Sequence, residues 1–175
     1  MSRLTFISDV NWIRTLTDER EQMNRINRKV EYALMALKHM RAKAPGELTT
    51  AKEVSELFGS PFDATARALQ MLAQKGVLRS EQGAHGGYQI TRDLGRVSLH
   101  DLMEMLLGPL GVARCLNESE VPCEIRGTCN IVSPMQALNR KLSEFYRALS
   151  VAELLNGGDQ KQAQNQRPKM QGAQP

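Results

Sequence analysis

Three cysteines are all that the 175 residues contain, and all three fall between positions 115 and 129. An odd number gathered in one short stretch does not make a disulfide framework; it points to metal ligation, redox chemistry or plain burial. Long apolar runs are also missing. No stretch approaches the roughly 18 uninterrupted apolar residues of a membrane span, and the amino-terminal region, broken by Asp9 and Arg14, lacks the apolar centre of a secretory signal. The expectation is a cytoplasmic protein with no membrane partner. Histidines number only three, at 39, 85 and 100, and no serine, histidine and aspartate stand in a recognisable motif. The run GAHGG does not lie between a strand and a helix, so it reads as a turn and not as a phosphate cradle. No catalytic residues and no enzymatic activity are expected.

What is present starts with one core's worth of apolar residues, 41% of the chain, and an uneven charge. Residues 24 to 96 carry 12 Lys/Arg against 7 Asp/Glu, a balance of +5, whereas residues 97 to 156 carry 5 against 7, a balance of −2. A positive excess on one half is the footprint of phosphate contact, although a solvated basic face gives the same arithmetic.

Ile26, Val30, Leu34, Leu37 and Met40 form one helical stripe, a first helix over about residues 24 to 42. Thr50 and Glu53 make a capping box for a short second helix that Gly59 stops. Ser60 is expected to cap a third, with Pro61 at its first position, Leu69 and Leu72 facing inward and Gly76 at its end. Two helices meeting across so tight a turn make a helix-turn-helix. Next, VLRSEQGAHGGYQITRD reads as strand, glycine-rich turn and strand, which is a wing. Its aromatic, Tyr88, is read as packing on the core. A winged helix of this kind puts its third helix in the major groove of DNA and its hairpin tip near the backbone or minor groove.

Ser98 caps a further helix, LHDLMEML, ended by Gly108-Pro109, and Ser133-Pro134 opens the last long one. There Met135, Leu138, Leu142, Phe145 and Leu149 recur at a heptad rhythm that fits a partner helix in a homodimer, or alternatively the chain's own core. The fold class is thus mainly α with a small β wing: a winged helix-turn-helix plus a long dimerisation helix. Four segments follow: an extension over 1–23, a DNA-binding part over 24–97, a thiol loop and dimerisation helices over 98–156, and a disordered Gln-, Gly- and Pro-rich tail over 157–175.

The cysteines stand in the loop between these last two helices at Cys-x7-Cys-x5-Cys: Cys115, Cys123 and Cys129. These steps are wider than the two-residue steps of zinc knuckles and suit an iron–sulfur cluster better, though zinc stays open on spacing. Pro122 and Gly127 would bend the loop. A metal-free thiol switch, in which oxidation bridges two of the three, is a competing reading on the same fold. A third is a metal protein that uses its winged helix for protein contacts.

On the third helix Arg67, Gln70 and Gln74 face outward as readers of base edges. Arg28, Lys29, Lys75 and Arg79 are better placed for phosphates. His85 at the wing tip could approach a phosphate or the minor groove. His39 and His100 read as surface positions.

In order and spacing, INRKVEYALMAL, AKEVSELFG, LAQKGVLRS, GGYQIT, VSLHDLMEMLLGP and the three-cysteine loop resemble the IscR/NsrR/RirA family of bacterial winged-helix regulators, over about residues 24 to 155. The resemblance implies a homodimeric transcription factor, a repressor in the reading adopted here. Its three loop cysteines would hold an iron–sulfur cluster, 4Fe-4S ahead of 2Fe-2S, that governs operator binding. Departures are local. Val132 stands where some members place a histidine ligand. Asp63, Ala64, Thr65 and Ala66 replace a frequent Ser-Tyr-x-Glu run in the recognition helix, and Gln82 replaces a wing arginine; Asp63 and Gln82 are therefore included among the DNA-facing candidates. In the nitric-oxide-sensing members an acidic residue of helix one ligates the partner subunit's cluster. The matching position here is Glu31, whose other reading is a helical ion pair with Arg28.

Overall fold

The computed structural model describes residues 26–83, 86–116 and 123–157. Helix α1 spans Arg28–Ala42. It starts four residues later than its apolar stripe suggests, because Asn27 caps it by accepting the Lys29 N–H. Ile26 precedes the cap and is exposed. In the rest of the stripe Val30, Leu37 and Met40 are buried and Leu34 half-buried, with Ala33 and Ala36 buried between them.

Helix α2, Ala51–Phe58, carries the full capping box: the Glu53 N–H donates to Thr50 Oγ1 at 3.0 Å and the Thr50 N–H to Glu53 Oε2 at 3.4 Å. Gly59 ends it at φ 67°, a left-handed conformation that costs glycine little and lets α3 start at once. Helix α3 is Phe62–Gln74, and here the expected cap is wrong. Pro61 occupies the cap position, and the buried Ser60 hydroxyl turns inward to Thr65 Oγ1 at 2.8 Å. Thr65 also donates to the Pro61 carbonyl at 3.0 Å, so the turn is braced from inside. At the far end the Val77 N–H bonds Leu72 O and the Gly76 N–H bonds Ala73 O, a Schellman pair that stops the helix before the wing.

The wing is β1, Leu78–Glu81, antiparallel to β2, Gly87–Ile90, with Leu78 opposite Ile90 and Glu81 opposite Gly87. Thr49, just before α2, bridges Tyr88 through two backbone bonds, Thr49 N–H to Tyr88 O at 2.9 Å and Tyr88 N–H to Thr49 O at 2.8 Å. Tyr88 is partly buried against the core, as expected. The wing is thereby sewn to the start of the helix-turn-helix.

Helix α4, Leu99–Leu107, has a second capping box from Ser98 and Asp101 and ends at Gly108. Helix α5, Val132–Ala148, begins one residue before Ser133, which lies with Pro134 inside its first turn. A last helical stretch covers 151–157. Its start is tied back to α4: the Leu99 N–H bonds Leu149 O at 2.8 Å and the Val151 N–H bonds Val97 O at 2.9 Å. Val151 and Leu155 consequently join the same core as Leu37, Leu69, Leu72, Leu102 and Leu106. Helix α5 itself has no buried residue. Of its seam, Met135, Leu142 and Leu149 are half-buried, while Leu138 is 42% and Phe145 61% exposed. Of the seam only Leu149, at its end, packs against the chain's own core.

Two histidines read as surface positions are not. His39 meets Glu53 Oε1 through Nε2 at 2.7 Å and packs edge-on to Phe58. His100 is only 3% exposed, because α4 packs across both α1 and α3.

Candidate nucleic-acid interface and thiol loop

The outward face of α3 presents Asp63, Arg67, Gln70, Gln74 and, past its end, Lys75, all exposed, while Thr65, Ala68, Leu69 and Leu72 turn inward. One helix face thus carries every candidate base reader. Between its carboxy-terminal half and the wing runs a groove of about 610 Å³, lined by Gln70, Gln74, Arg79, Ser80, Tyr88 and Thr91 among others. Helix and hairpin therefore border one groove of mixed polar and apolar lining. Arg79 is held along the strand by an ion pair with Glu81. Gln82 is exposed at the end of β1, and His85 lies outside the described residues, as do the extension before residue 26 and the tail after 157.

Arg28 and Lys29 sit in the exposed first turn of α1. Arg28 Nη1 donates to Glu31 Oε2 at 3.1 Å, so the helical pair considered for Glu31 is formed. The Arg28 side chain is 68% exposed, and such a pair contributes only a few tenths of a kcal/mol, roughly 0.2–0.5. Either partner can exchange it for a stronger one at little cost.

Sequence reading missed an apolar cluster at the helix-turn-helix turn. Leu57, Phe58 and Phe62 are exposed, Phe62 by 54% at the first residue of the recognition helix. The signal was visible as three large apolar residues about one tight turn, but their direction depends on the crossing of α2 and α3.

The three thiols are free and half-buried. Cys115 lies in a short 3-10 turn, Arg114–Leu116, that packs on α5. Cys123 and Cys129 flank a compact turn in which the Arg126 N–H bonds Cys123 O and the Thr128 N–H bonds Ile125 O, both at 3.1 Å. A further bond, Val112 N–H to Asn139 Oδ1 at 3.1 Å, holds the loop's beginning to α5. Pro122 lies outside the described residues. The sulfurs do not form a set lying within 4.8 Å of one another among the described residues. Tetrahedral zinc, with Zn–S near 2.3 Å, needs thiolates about 3.8 Å apart. Three free thiols on one loop are donors of the kind that iron–sulfur clusters and zinc both take.

No helix among the described residues is long and apolar enough to cross a membrane. The family model for Rrf2, described as iron-dependent transcriptional regulator, matches residues 26–157. The chain is 34% identical over 127 residues to the HTH-type transcriptional repressor NsrR of Streptomyces coelicolor, covering 71% of this chain and 82% of that protein. Among solved structures it is similar to CymR (YrzC), the global cysteine regulator of B. subtilis, with a TM-score of 0.56 at 19% identity, over 77% of this chain and 98% of that one. T. potens IscR gives a TM-score of 0.56 at 17% identity, over 89% and 96%.

Proposed function

Since the chain belongs to the Rrf2 family of transcriptional regulators, and not to a family of enzymes, we propose that it is a cytoplasmic, homodimeric repressor whose operator binding is controlled by an iron–sulfur cluster on Cys115, Cys123 and Cys129. The observation that carries this reading is the presence, in one chain of this family, of an exposed basic and amide-bearing helix face and of three free thiols on a single loop.

DNA recognition divides by chemistry. Arg67 is suited to the acceptor pair of guanine, and Gln70 and Gln74 to adenine. Asp63, at the start of the same face, can accept from a cytosine amino group. Lys29, Arg28, Lys75 and Arg79 supply salt-dependent phosphate contacts, with Gln82 and His85 at the wing. The seam of α5 supplies the second copy, so that two recognition helices meet two half-sites.

When bound, the cluster would supply iron that reacts with nitric oxide or oxidants and that depends on iron supply. Four-iron nuclearity is favoured, since three thiolates then leave one corner for an exchangeable ligand. Glu31 of the partner subunit is the candidate for that corner, a hard carboxylate that would be more labile than a fourth thiolate. Its place in the first turn of α1 would couple the loop of one subunit to the DNA-binding half of the other.

Anaerobic purification with iron and sulfide analysis, followed by binding to genomic DNA fragments at two salt concentrations, tests the reading. Iron and sulfide in the protein together with tight, sequence-selective binding are expected. A colourless, iron-free anaerobic protein that still responds to peroxide would favour the metal-free thiol switch. Weak, salt-sensitive association alone would favour a protein-contact role.

A further inference from the structure

Helix α4 carries a second constellation that the thiol loop does not use. His100 is 3% exposed and its Nδ1 has no hydrogen-bond partner among the described residues, a state that costs a buried polar atom about 1–3 kcal/mol when nothing fills it. Nδ1 lies 3.4 Å from Glu104 Oε2. That is close enough for an ion pair, yet the direction is not that of a hydrogen bond, which is why the atom stays unsatisfied. A carboxylate oxygen of Asp101 completes a trio whose ligand atoms all lie within 4.8 Å of one another.

We propose that His100, Asp101 and Glu104 form a binding site for a first-row divalent metal ion, distinct from the cysteine loop. Two ligands on a tetrahedral ion, each near 2.0–2.1 Å from it, stand about 3.4 Å apart, and their lone pairs converge on the metal and not on each other. The His100–Glu104 pair has that separation and that lack of mutual alignment. The i, i+4 spacing is what places two ligands on one face of a helix. Asp101 Oδ2 is already engaged by the Ser98 backbone N–H at 3.1 Å and hydroxyl at 2.7 Å. Its other oxygen remains for a ligand, and the bonds to Ser98 hold the carboxylate in place, as supporting bonds do for metal ligands generally. One imidazole and two carboxylates suit zinc, manganese or ferrous iron and leave open positions for water.

The surrounding charge sets the strength. Asp101 and Glu104 line a cleft of about 350 Å³ with Lys75, Arg92 and Arg96. Among the described residues none of these three cations pairs with either carboxylate; Arg96 turns to Asp93 at 3.6 Å. After the hydrogen bonds from Ser98, the Arg92 charge already acts on Asp101 and helps hold its carboxyl below the ordinary value, and three positive neighbours oppose a cation, so binding is exchangeable and not of structural tightness. Lys75 closes the recognition helix α3, and the cleft lies between the end of that helix and the two carboxylates on α4, with the buried His100 outside its lining.

The test is calorimetric titration of the full chain with zinc, its thiols carboxamidomethylated so that the cysteine loop does not take the metal. One zinc per chain is expected, together with a melting temperature that rises with zinc concentration. Glu104→Gln keeps an exposed side chain of the same shape and should weaken binding at least tenfold, with unchanged circular dichroism and melting in zinc-free buffer. His100→Gln should abolish binding. No saturable binding up to millimolar zinc, or equal affinity in Glu104→Gln, would overturn the assignment.

Discussion

Glu53 Oε1 lies 2.7 Å from His39 Nε2 and 2.6 Å from Lys43 Nζ, so one carboxylate at the start of α2 gathers two side chains from the end of α1. Lys43 also donates to the Leu48 carbonyl at 2.8 Å, which fixes the chain entering the helix-turn-helix. Burial raises the Glu53 pKa, but the hydrogen bonds from Lys43 and His39 outweigh it and hold the carboxyl below its ordinary value of 4.5. A depressed folded-state pKa gives stability that is present above 4.5 and is lost as pH falls through the lower folded value. Chemical denaturation from pH 6 to pH 3 should show a loss of stability in that window that is smaller in Glu53→Gln. An equal loss in both proteins would remove this group from the balance.

Thr50→Ala removes the cap beneath the same carboxylate. A loss of about 1 kcal/mol is expected from thermal melts, the usual effect of losing such a cap, whereas Ser60→Ala should act through its buried bond to Thr65 and not through helix α3's amino terminus.

Replacing any one of Cys115, Cys123 or Cys129 with alanine should abolish a stable cluster while fold and dimer persist, because the core residues lie on α1 to α4, the wing and the segment after it, and the 151–157 stretch, and not in the loop. Iron content and sedimentation measure the two outcomes separately. Full cluster occupancy in one variant would remove that cysteine from the ligand set.

Leu138→Glu combined with Phe145→Glu should give a monomer with an unchanged melting profile at high dilution, since both side chains are exposed in the single chain. A variant that stays dimeric in sedimentation would place the interface elsewhere.

Arg67→Ala should cost about 1–3 kcal/mol of discrimination at one base position. Lys29→Ala should instead weaken binding to all sequences alike and lower the salt slope by about 1. The two variants are told apart by repeating the binding curves on operators substituted at single positions.

The elements that were legible in the sequence are those whose signals are local. Thr50 with Glu53, Ser98 as a cap, and Gly59 after a short apolar pattern each act within four residues, and each does in the structure what its chemistry dictates. The reading failed where packing between helices decides. His100 follows a cap and so reads as exposed, but the crossing of α4 over α1 and α3 buries it. Ser60 has a capping side chain, yet a buried hydroxyl four residues inside the next helix competes for it and wins. Phe62 has the composition of a core residue and the place of a surface one. Of the candidate site, the outward face of α3 followed from helical period alone, whereas the arrangement of the thiols follows from turns that the spacing does not encode.

The most direct measurement of the central claim is a titration of the anaerobic protein with nitric oxide, and separately with peroxide, that records visible absorption and operator binding on the same sample. Loss of the cluster's absorption bands and release of DNA should follow one curve, and Glu31→Ala should alter the spectrum and separate the two. DNA binding that is indifferent to the bleaching of the cluster, or that switches equally in protein lacking iron, would contradict the account.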